Sequence, residues 1–190
     1  MEGGHAEVGS LQEALLADPL AFLAAEHARQ RALLGHLERL ARHAGGPAQG
    51  AIARAVAAWL ACELPLHLAD EGASLYPRLA GTAGALASAL AERAAELDAE
   101  RKLLRLDLAR LASGHRAAED FPERALAFAA AYRRQLTAEE ERLLPLARDA
   151  LGDAAREAIS REMAARRRLR DDLETLNKAA RPGRALQRRA

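Results

Sequence analysis

Cysteine, aromatic side chains and β-branched residues are all scarce in this 190-residue chain, and each shortage removes a class of structure. The single cysteine, Cys62, has no internal partner, which rules out a disulfide framework and fits a reducing cytoplasm. Aromatic residues make up only 3 % of the chain, Val, Ile and Thr are few, and no stretch alternates apolar with polar, so no β-strand is expected. Neither sign of charge prevails: 28 Lys and Arg stand against 27 Asp and Glu, which gives no reason to expect a nucleic-acid partner. The opening MEGGHAEVGS lacks a basic region followed by an apolar run, and no uninterrupted apolar segment reads as long enough to cross a bilayer. The expectation is a cytoplasmic protein with no membrane partner. Neither a phosphate-cradling glycine loop nor a Ser-His-Asp arrangement is present, so no catalytic group is assigned.

What is abundant is Ala, Leu, Arg and Glu, in patterns that predict five helices. Residues 1–17 read as a tail carrying His5, with a short turn from Ser10 to Ala17. Asp18-Pro19 supplies a cap and a first-turn proline for a helix running to about Ala44, where Gly45-Gly46-Pro47 ends it. Its inward stripe is Leu20, Leu23, His27, Gln30, Leu34, Leu37 and Ala41, while His36 and His43 face outward. A second helix spans about Gln49 to Arg78 with Val56, Leu60, Leu64, His67, Glu71 and Leu75 inward, and Pro65 is expected to bend it. After a turn at Gly81-Thr82-Ala83-Gly84, a third helix from Ala85 to Ala112 carries a seam of Leu90, Ala94, Leu97, Arg101, Leu104, Leu108 and Leu111. A polar loop with His115 precedes a fourth helix from Pro122 to about Leu151, with Phe128, Tyr132, Gln135, Glu139 and Leu143 inward. Short loops make these four an up-and-down antiparallel bundle. A fifth helix begins near Asp153 with Ala158, Ile159, Met163 and Ala164 as its apolar contacts, so that the bundle domain covers 18–169 and a basic extension 170–190.

The stretch ELPLHLADEGASLYP, from Glu63 to Pro77, concentrates the chemistry. His67 and Glu71 lie one helical turn apart and project from one face, the spacing that lets an imidazole and a carboxylate share an ion. The pattern returns as QLTAEEERLLP, in which Gln135 replaces the histidine, Glu139 repeats Glu71, Leu143 repeats Leu75 and Pro145 repeats Pro77. Helices one and three align as well, placing His27 on Arg101. Two tandem hairpins therefore differ in equipment: the first offers His27, His67 and Glu71, the second only Glu139. His27 and His67 read either as ligands or as hydrogen-bonded core histidines. Cys62 reads as an inert small residue near the interior, and of the run Glu139–Glu141 one residue at most faces inward.

Taken in order, DPLAFLAAEHARQRALL, ELPLHLADEGASLYPRL, AYRRQLTAEEERLLPLAR and REMAARRR resemble the hemerythrin-like, HHE cation-binding family, over Asp18 to Arg168. The resemblance implies a four-helix bundle around a di-iron centre bridged by two carboxylates. It places His27 and His67 as ligands of one iron and Glu71 and Glu139 as the bridges, while the second iron's histidines are missing. A buried carboxylate pair needs cations or protons, and Arg101 is expected to bring its guanidinium to the vacant half and hold a carboxylate there. Gln135 can donate to a carboxylate, and Tyr132, on the same face, reads as a buried hydrogen-bonded tyrosine or a phenolate. The expected cofactor is one iron, or zinc, and not a metal pair. The expected role is to sense or handle iron, oxygen or nitric oxide, with a small diatomic ligand, and not to carry oxygen. The alternative is a metal-free bundle serving as an interaction or structural module.

Overall fold

The computed structural model describes residues 18–43 and 49–179, all helix and loop. The tail at 1–17, the Gly45-Gly46-Pro47 stop and the basic segment beyond Ala179 lie outside the described residues. Helix α1, Pro19–Arg42, starts where a cap and a proline predict it: the Asp18 carboxylate accepts from the backbone N–H groups of Leu20 and Ala21, both at 3.1 Å. All seven residues of its inward stripe are buried.

Helix α2, residues 49–79, is not a plain α-helix. It passes through two wide π turns, Trp59–Glu63 and Asp70–Leu75, and ends in the 3-10 turn Tyr76–Leu79. Helix α4, residues 121–150, contains a third wide turn at Glu139–Leu143. Each is tied to a proline. Pro65, Pro77 and Pro145 stand six residues after Trp59, Glu71 and Glu139, and the residue before each proline reaches back five positions: Leu64 N–H to the Trp59 carbonyl, Tyr76 to Glu71, Leu144 to Glu139. A proline ring clashes with the carbonyl four residues earlier and offers no N–H, and a widened turn removes the clash without breaking the helix. The bend expected at Pro65 is thus a change of helical pitch, and the repeated Glu-to-Pro spacing sets a wide turn at each of the two glutamates.

Helix α3, Ala80–Ala112, follows α2 without a coil. The predicted Gly81–Gly84 turn survives as a sharp break, with non-helical backbone at Leu79 (φ −100°, ψ 3°) and Ala83 (φ −137°, ψ 26°). The run Gln49–Ala112 does contain a stretch long and apolar enough, by length and composition, to cross a membrane, contrary to the reading of the sequence. Here it folds back on itself: Arg54 reaches the Ala112 carbonyl at 3.1 Å and Arg101 the Leu60 carbonyl at 2.6 Å, which pairs its halves antiparallel. Between α3 and α4, buried Asp107 fixes the loop by accepting from the Ala118 N–H (2.7 Å) and Arg124 (2.6 Å). Helix α5, Asp153–Ala179, lies across α1 and the second wide turn of α2, with Ile159 and Met163 fully buried.

The four-helix bundle has α1 beside α2 and α4, and α3 beside α2 and α4. Its core is divided in two. One apolar cluster contains Leu34, Leu37, Val56, Trp59, Leu104, Leu108, Phe121 and Phe128, and the other Leu20, Leu23, Leu75, Leu79, Leu90, Leu143, Ile159 and Met163. Between them, on α1, α2 and α4, lies a buried polar layer of His27, Gln30, His67, Glu71, Gln135 and Glu139. Each fully buried Leu or Phe stabilises the fold by roughly 1.5–3 kcal/mol, which opposes the cost of enclosing that layer.

Candidate metal centre

Four helical segments aim their side chains into the polar layer. His27 comes from α1, His67 from the α-helical piece Leu64–Ala69 between the two wide turns of α2, and Glu71 and Glu139 from the starts of their π turns. All four are essentially inaccessible to solvent, and one ligand atom from each falls within 4.8 Å of all the others. Glu71 Oε1 lies 3.2 Å from His67 Nε2 and 3.3 Å from His27 Nε2, and Glu139 Oε2 lies 3.5 Å from His27 Nε2. The two imidazoles meet edge to face at 5.0 Å.

These separations can be tested against an ion. Ligands on metal–nitrogen and metal–oxygen bonds of about 2.0–2.2 Å in a tetrahedral arrangement stand roughly 3.3–3.6 Å apart, close to the distances found. His67 Nε2 and Glu139 Oε2 are buried and make no hydrogen bond, a costly situation for two polar atoms in the same cluster. Two imidazole nitrogens and two carboxylate oxygens fit iron or zinc. The residues present therefore fit one cation.

The remaining carboxylate oxygens are spoken for. Glu139 Oε1 accepts from Gln135 Nε2 at 2.9 Å and from the Tyr76 hydroxyl at 3.0 Å, and the same hydroxyl lies 3.4 Å from Glu71 Oε2. Each carboxylate thus turns one oxygen toward the histidines and the other toward neutral protein donors. Tyr76 was not singled out from the sequence; its position directly before Pro77, on a wide turn that starts at Glu71, is the signal that could have found it. A second missed residue is Glu140, whose Oε1 sits 3.4 Å from His27 Nδ1 and is also bound by Arg31. It is not merely a solvated neighbour of Glu139.

Arg101 does not do what was expected of it. Its guanidinium is nearly buried but bonds Asp98 (3.0 and 2.5 Å) and the Leu60 carbonyl (2.6 Å), with no contact to Glu71 or Glu139. The physical reason is the first wide turn. Because Leu64 N–H bonds Trp59 instead of Leu60, and Pro65 has no N–H, the Leu60 carbonyl is left without a helical donor, and Arg101 caps it. Tyr132 is likewise held elsewhere, donating to Gln30 Oε1 at 2.5 Å, and burial pushes its hydroxyl well above the ordinary range, so it is a hydrogen-bonded tyrosine and not a phenolate. Cys62 is exposed and does not belong to the interior.

Burial pushes the Glu139 carboxyl up, reinforced by the charge of Glu71 and only partly offset by His67, Gln135 and Tyr76, to about 8. Burial also opposes ionisation of Glu71, but the charge of His67, with the hydrogen bond and charge of His27, more than offsets it and holds the group at about 2. Without a cation the pair therefore keeps one proton, on Glu139.

A family model described as the hemerythrin HHE cation-binding domain matches residues 18–147. No match was found among curated proteins or among solved structures.

Proposed function

Since the chain belongs to the hemerythrin HHE cation-binding domain family, we propose that it holds a single divalent ion, iron or zinc, on His27, His67, Glu71 and Glu139. The observation that carries this reading is the division of the carboxylate oxygens. Glu71 Oε1 and Glu139 Oε2 face the two imidazoles, whereas Glu71 Oε2 and Glu139 Oε1 are taken by Tyr76 and Gln135. Those outer oxygens meet neutral donors, and no further histidine joins the cluster among the described residues.

When bound, an iron ion supplies one-electron redox chemistry and a coordination position for a small diatomic molecule. The chain's own groups set the terms. Glu140 places a carboxylate oxygen 3.4 Å from Nδ1 of His27, and Tyr76 and Gln135 keep Glu139 oriented. Reversible oxygen carriage by a pair of irons requires two metals that together give two electrons, so the role proposed is sensing or handling of iron, oxygen or nitric oxide. The test is the metal content of chain purified without a polyhistidine tag, beside a His67→Ala control. About one ion per chain, lost in the control, supports the proposal; no ion after anaerobic ferrous or zinc loading favours a metal-free interaction module.

A further inference from the structure

The family match ends at residue 147, before α5 begins at Asp153, yet α5 supplies the counter-charges for the turn that carries Glu71. We propose that Arg166 and Arg167 of α5 are positioning residues for the ion site: by clamping Asp70 they hold the wide turn that presents Glu71, so docking of α5 and affinity for the ion rise and fall together. This rests on the single-ion reading above.

Asp70 is completely buried, and both of its oxygens are taken from α5: Oδ1 by Arg166 Nε at 2.8 Å and Oδ2 by Arg167 at 2.7 Å. A carboxylate removed from water in this way is tolerated only while both partners stay in place. Its N–H bonds the carbonyls of His67 and Leu66, and the next residue is Glu71, so any movement of Asp70 is passed to two ligands at once. The far end of the turn is held from the same helix. Ser74 Oγ accepts from Arg166 at 2.5 Å and donates to Glu162 at 2.5 Å, while Arg78 spans Glu162 (2.6 Å) and the Ser74 carbonyl (2.7 Å). Arg167 also bonds the Met163 carbonyl at 3.0 Å and stacks 4.5 Å above the ring of Phe22, five residues before His27 on α1. Two arginines thus tie α5, α2 and α1 together beside three of the four candidate ligands. The third wide turn, which carries Glu139, receives no hydrogen bond or ion pair from α5 among the described residues; its Glu140 is bound by Arg31 of α1.

If the clamp shapes the site, the coupling is reciprocal: α5 strengthens ion binding, and the ion must strengthen docking of α5 by the same factor. The experiment is a zinc affinity measurement by chelator competition on the full chain, comparing the natural sequence with Arg167→Met, Arg166→Met/Arg167→Met and Arg167→Lys. Changes one layer outside a metal site typically weaken binding about 10–100-fold. The double variant is expected in that range with stoichiometry kept at one, and Arg167→Lys is expected to recover part of the loss. Amide hydrogen exchange on the unaltered chain gives a second reading that does not depend on the variants folding: residues 160–168 should exchange more slowly with zinc bound. Unchanged affinity in folded variants, or exchange indifferent to zinc, overturns the inference while one ion per chain leaves the site intact. If the unaltered chain binds no ion, both readings fall.

Discussion

Replacing Tyr76 by Phe removes one hydroxyl and keeps the ring that fills the second apolar cluster, so little cavity cost is expected. The lost bond is worth different amounts with and without the ion. With the ion bound, Glu139 is ionised, and a hydrogen bond to a charged group contributes about 1.5–3 kcal/mol. In the metal-free protein at pH 7, Glu139 is mostly protonated because burial and Glu71 raise it to about 8, and a bond between neutral groups contributes about 0.5–1.5 kcal/mol. Tyr76 stays a donor in both states, since burial and then the charges of Glu71 and Glu139 push its hydroxyl far above the ordinary range. The difference, about 1–1.5 kcal/mol, corresponds to ion binding weakened about five- to tenfold. The assay is competition with a fluorescent chelator at pH 7, run beside thermal melting of the metal-free protein, whose midpoint should fall by only about 2–4 °C. Unchanged or tighter binding in Tyr76→Phe would show that the hydroxyl does not support Glu139 at the ion site.

Glu140→Gln removes the negative charge 3.4 Å from His27 Nδ1 together with a partly exposed ion pair to Arg31, and should weaken ion binding about tenfold with little change in melting of the metal-free chain; equal affinity by calorimetry would count against it. Arg101→Met should leave the Leu60 carbonyl buried and unsatisfied, at about 1–3 kcal/mol in denaturant unfolding, with ion stoichiometry unchanged; a second ion in that variant would restore the role first expected of Arg101. The pH dependence of the metal-free protein has a definite sign. Glu139 is raised in the fold, so its contribution is full below its ordinary 4.5 and is lost as pH rises through about 8. Glu71 is lowered, so its contribution is present above 4.5 and lost only as pH falls toward about 2. Between pH 5 and 8 the metal-free chain should therefore become less stable while ion affinity rises, and a melting temperature that climbs over that range would contradict this.

The inward faces of α1, α2 and α4 could be read from the sequence because burial in a bundle follows the helical period, and the cap at Asp18 because its chemistry is local. The wide turns could not. They arise where a proline meets a helix that tertiary packing will not allow to break, and pattern counting at 3.6 residues per turn passes over them. That one omission explains the misplaced residues. Arg101 looked like a counter-charge for the carboxylates because no orphaned Leu60 carbonyl was foreseen, and Tyr76 and Glu140 were passed over because the altered pitch turns them toward the layer. Asp70 and Arg167, both charged and both buried, were invisible for another reason: each is acceptable inside only because the other is there, and that pairing links α2 to a helix almost a hundred positions later.

Counting ions on the intact chain is the most direct trial of a site with one equipped half. Native mass spectrometry after anaerobic ferrous loading should show a single iron per polypeptide, absent when both His27 and His67 are replaced by Ala. Two irons per chain, or one that persists without those histidines, would contradict it.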